Sequence, residues 1–222
     1  MKITCVTLTG ADDDVDPKEL EEISHEYPFV EWGILFSQSK SGVERYPSPY
    51  WVAKLHLLEE TNFSAHLCGK LVDIAISGEI KVHVKFQRVQ LNLTNDKLKR
   101  AMSSEVLNEL IATMNQKVIF GGKHGSYAYW NRMASPLFDA SGGNGLSPVE
   151  WPEPFKTSSG GNILNGYAGG LGPENIGDEL QKLAEVNENS PIWIDMETKL
   201  RTDGKFDLEK CKQVLESVKA WM

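Results

Sequence analysis

Short runs of apolar, often β-branched residues alternate along this 222-residue chain with segments whose apolar residues recur at the helical period. This alternation is typical of an α/β protein in which each strand of a parallel sheet is followed by a helix. Eight strands are predicted, and that number favours a single (β/α)₈ TIM barrel over a doubly wound sheet. The predicted strands are Ile3–Leu8, Phe29–Phe36, Ser64–Cys68, Arg88–Leu93, Lys117–Phe120, a run ending in Leu137–Asp139, Ile163–Ala168 and Ile192–Asp195.

Capping residues mark where the predicted helices begin. Asp16 is followed by Pro17, a residue tolerated in the first turn, and this pair predicts a helix that runs to about Glu26. The other predicted helices are Pro49–Glu60, a long or broken helix within Asp96–Asn115, Pro173–Val186 and Leu208–Trp221. The chain length suits one barrel, so residues 1–222 are predicted to form a single domain.

Composition excludes several classes of function. The formal net charge of −8 argues against binding to nucleic acid or to anionic membranes. No apolar run approaches the roughly 20 residues that span a bilayer, and the N-terminus is too polar for a signal peptide. The cysteines are odd in number and far apart, which indicates neither disulfides nor zinc and favours the cytoplasm (Cys5, Cys68, Cys211). The histidines lack ligand spacing and the acidic run 12–14 resembles a solvated loop, so no metal or cofactor is predicted.

Two glycine-rich segments stand at predicted strand ends, where barrel enzymes carry their chemistry. The first, Leu137–Gly145, is an apolar run that ends on the carboxylate of Asp139 and continues into glycines. The second, Gly166–Ile176, leads through Gly169-Gly170 towards a helix start. Backbone N–H groups at such a start bind anions, most often phosphate. Together they predict an enzyme that acts on a phosphorylated sugar.

These segments resemble the phosphoribosylanthranilate isomerase family, strongly in the last third of the chain and thinly elsewhere. Asp139–Gly145 is similar to the family's Asp-x-Ser-Gly-Gly-x-Gly pattern, and Gly169–Asn175 to its Gly-Gly-Leu-x-Pro-Glu-Asn pattern. Earlier in the chain, Arg45-Tyr46 resembles its Ser-x-Arg-Tyr loop and Val89–Leu91 its Val-Gln-Leu-His-Gly strand. Cys5 precedes an acidic residue much as the cysteine of the family's Lys-Ile-Cys-Gly segment does.

The resemblance implies an Amadori rearrangement of N-(5-phosphoribosyl)anthranilate, a step of tryptophan biosynthesis that needs an acid and a base but no cofactor. In this chain Asp139 would be the acid that protonates the ring oxygen, and Cys5 the base that takes the C2 proton. Arg45 would bind the anthranilate carboxylate. The remaining substrate and phosphate contacts would come from Gly142, Gly143, Gly169, Gly170 and Lys199. Such an enzyme would work as a monomer or homodimer on a small phosphorylated sugar.

Some positions depart from the family pattern and leave alternatives open. Glu197-Thr198-Lys199 stands where the family has Ser-Ser-Gly, and Asn92-Leu93 where it has His-Gly. An ungapped match would put Thr4 rather than Cys5 in the catalytic position. Trp151 is interpreted as loop packing or as a stacking partner for an aromatic substrate. Two further functions therefore remain open: another phosphosugar enzyme of this fold, or a catalytically silent barrel that binds a phosphorylated ligand or a protein.

Overall fold

The computed structural model describes residues 1–113, 116–122, 134–141, 144–156, 160–188 and 190–222. Eight parallel strands pair in chain order and β8 returns to β1, so the sheet closes and the predicted (β/α)₈ barrel is confirmed. The strands are β1 (Lys2–Thr9), β2 (Val30–Ser37), β3 (Phe63–Cys68), β4 (Arg88–Asn92), β5 (Lys117–Gly122), β6 (Ala134–Asp139), β7 (Asn165–Ala168) and β8 (Pro191–Met196).

Seven α-helices occur in the described part of the chain: α1 (Pro17–Glu26), α2 (Pro49–Lys54), α3 (Lys70–Ile76), α4 (Asn95–Ser103), α5 (Glu105–Thr113), α6 (Ile176–Val186) and α7 (Leu208–Val218). Side-chain caps explain several starts, since each supplies an acceptor to a backbone N–H that the helix leaves unbonded. Asp16 accepts from the Lys18 N–H and Ser48 from the Trp51 N–H, each directly before a proline. Asp207 caps α7 in the same way.

The structure corrects the prediction at several elements. The helix predicted as long or broken within 96–115 is broken: two helices meet at Ser104, and residues 114 and 115 lie outside the described residues. The predicted helix 49–60 ends early, as α2 followed by a 3₁₀ turn. Helix α6 begins three residues after Pro173, because residues 173–175 form a turn. Helix α3 and a hairpin of β9 (Arg201–Thr202) and β10 (Lys205–Phe206) were not predicted.

Apolar packing is concentrated between the barrel and its helices. The main core cluster joins outward strand residues such as Val6 and Ile194 to helix residues such as Leu20 and Leu180, all almost fully buried. A smaller cluster of Ile119, Leu137, Ala168 and Trp193 packs inside the barrel. The rest of the described barrel interior is polar, and the part near the C-terminal ends of the strands forms the candidate site. No helix in the described residues has the length and apolarity needed to cross a membrane.

Candidate active site

A cavity of about 950 Å³ opens at the C-terminal ends of the barrel strands. Its lining includes Asp139, Gly169 and Asp195, so the prediction that these three lie at the same end of the barrel is confirmed. Arg45, Gly170 and Lys199 also line it. Gly142 and Gly143 fall outside the described residues. Of the predicted site residues in the described part, only Cys5 does not line the cavity.

Two carboxylates, Asp139 and Asp195, lie on either side of Ala168 on the cavity wall. Asp139 ends β6 and pairs in register with Ala168 of β7, which in turn pairs with Asp195 of β8. Only the methyl group of Ala168 separates the two acids along the sheet. The Oδ1 atom of Asp139 accepts hydrogen bonds from the N–H and the hydroxyl of Ser141, at 3.0 and 3.1 Å. These bonds orient Asp139 at the start of the glycine-rich loop.

Asp195 is deeply buried and tightly held. The Thr9 hydroxyl donates to its Oδ1 at 2.8 Å, and the Gln90 amide donates to its Oδ2 at 3.4 Å. Burial raises the pKa of Asp195 to about 7, and the nearby charge of Asp139 adds to the increase. The hydrogen bonds from Thr9 and Gln90 act in the opposite direction. The carboxyl group therefore changes its protonation state near neutral pH.

Thr9 lies in a notch that Gly33 provides on the neighbouring strand. A Cβ atom at position 33 would lie 2.1 Å from the Thr9 hydroxyl oxygen and 2.9 Å from Cε1 of His66, so only glycine leaves this space open. Burial lowers the pKa of His66 to about 3, so its ring is neutral. The Nε2 atom of His66 and the Oε1 atom of Gln90 are buried and have no hydrogen-bond partner in the described structure. Buried polar atoms of this kind are normally satisfied, which points to a ligand or water in the cavity.

Cys5 faces the barrel interior but lies below the cavity. It is four residues before Thr9, about 13 Å along the strand. Burial raises the pKa of its thiol to about 12, with a contribution from the charge of Glu31. A β-bulge between Ile3 and Cys5 shifts the pairing of β1 with β8. The β1 side chain in the cavity is Thr9, which the sequence prediction missed because it ended the strand at Leu8.

A buried ion pair that was not predicted fills the barrel beneath the cavity. The Nε atom of Arg88 donates to Oε2 of Glu31 at 2.7 Å, and its Nη2 donates to the Thr7 hydroxyl at 2.8 Å. The Thr7 hydroxyl donates to Oε1 of Glu31 at 2.9 Å. The guanidinium also lies over the Trp193 ring, 4.8 Å from its centroid. These mutual contacts give both buried charges hydrogen-bonded partners and fill the barrel beneath the cavity.

Arg45 lines the cavity but is paired with a carboxylate of the protein. Its Nη1 donates to Oε1 of Glu197 at 2.9 Å. Burial raises the pKa of Glu197, and the hydrogen bond from Arg45 opposes that increase. The Arg45 backbone has a φ of +71° and donates its N–H to Oδ2 of Asp12 at 2.8 Å. Asp12 also accepts from Arg201 and is buried, so the interpretation of residues 12–14 as a solvated loop is wrong for Asp12.

The loops that follow β6, β7 and β8 pack tightly against one another beside the two carboxylates. A Cβ atom at Gly170 would lie 2.2 Å from the backbone nitrogen of Ser147, and one at Gly172 would lie 2.5 Å from Cβ of Lys199. The Asn175 side chain donates to the carbonyl of Gly170 and accepts from the N–H of Gly172, both at 2.9 Å. Part of the predicted anion site is thus used to hold the turn itself. The backbone at 169–171 and the Lys199 ammonium remain its candidate phosphate contacts.

Cys68 lies at the cavity, whereas Trp151 is buried away from it. The thiol of Cys68 lines the cavity and accepts from the Asn92 amide at 3.2 Å, and burial raises its pKa. Trp151 is buried against Phe138 and Tyr167, and its ring N–H donates to Glu179 at 2.7 Å. Trp151 is therefore a packing residue, not a stacking partner for a substrate.

Comparisons with known proteins agree with the fold and with the sequence resemblance. No protein-family model matches the chain. An N-(5'-phosphoribosyl)anthranilate isomerase from Zygosaccharomyces bailii is 32% identical over 89 residues, which are 39% of this chain and 40% of that protein. The matched segment thus spans about two fifths of that curated relative.

Two solved structures share the fold over almost the whole chain. An N-(5'-phosphoribosyl)anthranilate isomerase from Pyrococcus furiosus superposes with a TM-score of 0.55 at 13% identity, covering 98% of this chain and 99% of that one. A phosphoribosyl anthranilate isomerase from Thermococcus kodakaraensis gives a TM-score of 0.53 at 12% identity, with 97% and 99% covered. At these identities the likeness establishes the barrel and not the reaction.

Proposed function

We propose that this protein is an Amadori-type isomerase that converts N-(5-phosphoribosyl)anthranilate into the corresponding aminodeoxyribulose phosphate. The observation that carries the proposal is the pair Asp139 and Asp195, which faces one cavity at the C-terminal end of a barrel. Opening a furanose ring and moving a proton from C2 needs two groups that exchange protons at different atoms of the substrate. Similarity to isomerases of this name supports the assignment.

In this proposal Asp139 is the general acid. It donates a proton to the ring oxygen as the bond from that oxygen to C1 breaks, which yields a Schiff base between C1 and the amine nitrogen. The two hydrogen bonds from Ser141 keep the carboxyl group at the cavity edge, where the ring would lie. A positioned acid of this kind contributes about 10²–10⁴-fold to the rate.

The substrate's phosphate would lie against the loops that follow β7 and β8. Its proposed partners are the backbone N–H groups near Gly169 and Gly170 and the ammonium of Lys199. Gly142 and Gly143, which lie outside the described residues, stay predicted contacts from the sequence resemblance. Arg45 would contact the anthranilate ring's carboxylate from the opposite wall. The enzyme would act as a monomer or homodimer in the cytoplasm, where its free cysteines stay reduced.

The Arg45–Glu197 pair favours a second candidate. Because Glu197 already occupies the Nη1 edge of the arginine, an incoming carboxylate would meet a negative charge there. A phosphoribosyl amine whose nitrogen substituent carries no carboxylate would avoid that repulsion. The alternative is therefore another phosphosugar isomerase of this fold, with the same acid and a different substituent on nitrogen.

The test is turnover of N-(5-phosphoribosyl)anthranilate, followed by NMR as the anomeric proton disappears and a C2 ketone forms. The wild type is expected to produce the ketone, and Asp139→Asn to lose at least 100-fold in rate, because an amide cannot protonate the ring oxygen. Asp178→Asn, which changes an exposed carboxylate on α6, is the matched control and should match the wild type. A wild type without turnover, or an active Asp139→Asn variant, would contradict the proposal.

A further inference from the structure

We propose that Asp195 is the general base that takes the C2 proton, with Thr9 as the residue that positions it. The inference rests on the proposed isomerase function and assigns the proton acceptor that this reaction needs. Cys5, the residue first expected in that role, lies below the cavity. Asp195 lines the cavity, and its two oxygens are each fixed by a donor from a different strand.

The geometry separates the two proton transfers. Asp139 and Asp195 lie two strands apart in register, with their backbones roughly 10 Å from each other. The small side chain of Ala168 leaves the space between them open to a ligand. One carboxyl group can then reach the ring oxygen while the other reaches the hydrogen on C2. A single carboxylate would have to move between these atoms during the reaction.

Unsatisfied polar atoms next to Asp195 indicate what kind of group lies against it. Gln90 Oε1 can accept a hydroxyl hydrogen, and the neutral His66 ring can donate or accept at Nε2. Both residues line the same cavity and are almost fully buried. The hydroxyl groups of a sugar are the complementary chemistry, so C2 and its hydroxyl are expected beside Asp195.

The charges around Asp195 make it a base with a pKa suited to neutral pH. The titratable and charged groups that approach it are Asp139 on β6, Arg88 on β4, Cys5 on β1 and Glu197, which directly follows β8. Burial and the charge of Asp139 raise the pKa of Asp195 to about 7. The hydrogen bonds from Thr9 and Gln90 and the charge of Arg88 lower it. An effective general base has a pKa near the working pH, since it must be ionised and still bind a proton well.

The proposed step conserves atoms and electrons. In the Schiff base cation, the carboxylate of Asp195 removes the hydrogen from C2 as a proton. The electron pair of that C–H bond forms a C1=C2 double bond, and the C=N pair moves to nitrogen, giving a neutral enolamine. Loss of the C2 hydroxyl proton and gain of a proton at C1 then give the ketone. Asp195 releases its proton and Asp139 regains one, so no external oxidant or reductant is needed.

The deciding experiment compares Asp195→Asn, Thr9→Val and Cys5→Ser with the wild type in the isomerase assay. Asp195→Asn should lower kcat by about 10²–10⁴-fold while the affinity for the product ketone stays within about threefold. Cys5→Ser should keep wild-type kcat, since the thiol lies outside the cavity. Circular dichroism confirms that each variant is folded.

The pH profile distinguishes a positioned base from a merely structural residue. Thr9→Val removes a hydrogen bond that lowers the pKa of Asp195, so the acidic limb of kcat/KM should move to higher pH. Two results with an active wild type would overturn the assignment of Asp195 while leaving the isomerase function standing. One is a kcat of Asp195→Asn within tenfold of the wild-type value. The other is an acidic limb of kcat/KM that stays at the same pH in Thr9→Val. A wild type that does not turn over the substrate would instead refute the isomerase function, and the assignment with it.

Discussion

Replacing Asp195 by asparagine is expected to stabilise the protein, with an effect that grows as the pH rises. In the folded state this carboxyl group is buried beside Asp139, which favours its protonated form. An unfolded chain exposes it to water, where it ionises near its ordinary pKa. Between these two pKa values the folded state binds more protons than the unfolded state, so the stability of the wild type falls with increasing pH.

The size of the effect follows from the pKa, which is raised from 3.8 to about 7. At 1.36 kcal/mol per pH unit, this corresponds to about 4 kcal/mol lost by the wild type between pH 4 and 7. Asparagine does not ionise, so it avoids that loss. Its amide nitrogen would face the Gln90 amide nitrogen, so the Gln90 side chain must turn to present Oε1, which has no partner in the described structure, to the new donor. Allowing about 1 kcal/mol for altered hydrogen bonds, we expect a net gain of about 3 kcal/mol above pH 7.

The assay is urea unfolding of the wild type and Asp195→Asn at intervals from pH 4 to 8. Other titrating groups are shared by both proteins and cancel in the difference between their free energies of unfolding. That difference should be about −1 kcal/mol at pH 4, where only the altered hydrogen bonds count, and should rise to about +3 kcal/mol above pH 7. A difference that does not change with pH, or a variant that is less stable throughout, would refute this account of Asp195.

Three further substitutions test the surroundings of the site. Glu31→Gln should lower the free energy of unfolding by about 3–5 kcal/mol in urea titrations, because it leaves the buried Arg88 guanidinium without its anionic partner. Glu197→Gln should raise the affinity for anthranilate about tenfold in calorimetric titrations, because Arg45 no longer faces a protein carboxylate. Gly170→Val should lower the thermal midpoint strongly, because its side chain would collide with the loop backbone.

Each substitution has a matched control. Glu209→Gln breaks an exposed ion pair and should leave the stability almost unchanged. Glu44→Gln removes a more exposed carboxylate that also contacts Arg45, and it should alter anthranilate affinity much less. Gly204→Val introduces the same side chain at a positive φ, where no atom lies within 4 Å of the new Cβ. Equal effects in variant and control would contradict the packing and charge arguments.

The barrel could be predicted because its signals are local. Apolar runs, capping pairs such as Asp16-Pro17, and glycines after strands recur with the spacing that a barrel imposes. The two acids at strand ends could also be expected near one another, since the carboxyl ends of parallel strands meet at one face. The break at Ser104 was partly expected, because the periodicity of that region allows one helix or two.

The interior of the site could not be predicted because it depends on partners far apart in sequence. Glu31 and Arg88 are 57 residues apart, and neither has a local pattern that indicates burial. The β-bulge near Cys5 belongs to the pairing with β8, which no short segment of β1 reveals. One sequence signal was available: a glycine, Gly10, directly follows Thr9. In the structure it has a φ of +104° and marks the end of the strand.

The notch at Gly33 has a consequence for how this protein can diverge. A side chain at position 33 would enter space held by the Thr9 hydroxyl and the His66 ring, so a larger residue there requires a smaller side chain at 9 and a shift of His66. Enlarging position 33 first expels the Thr9 hydroxyl and removes the hydrogen bond to Asp195. A lineage that enlarges position 33 must therefore change position 9 first, whereas position 9 can change while Gly33 stays. A residue outside the cavity lining thus limits which substitutions this wall of the site accepts.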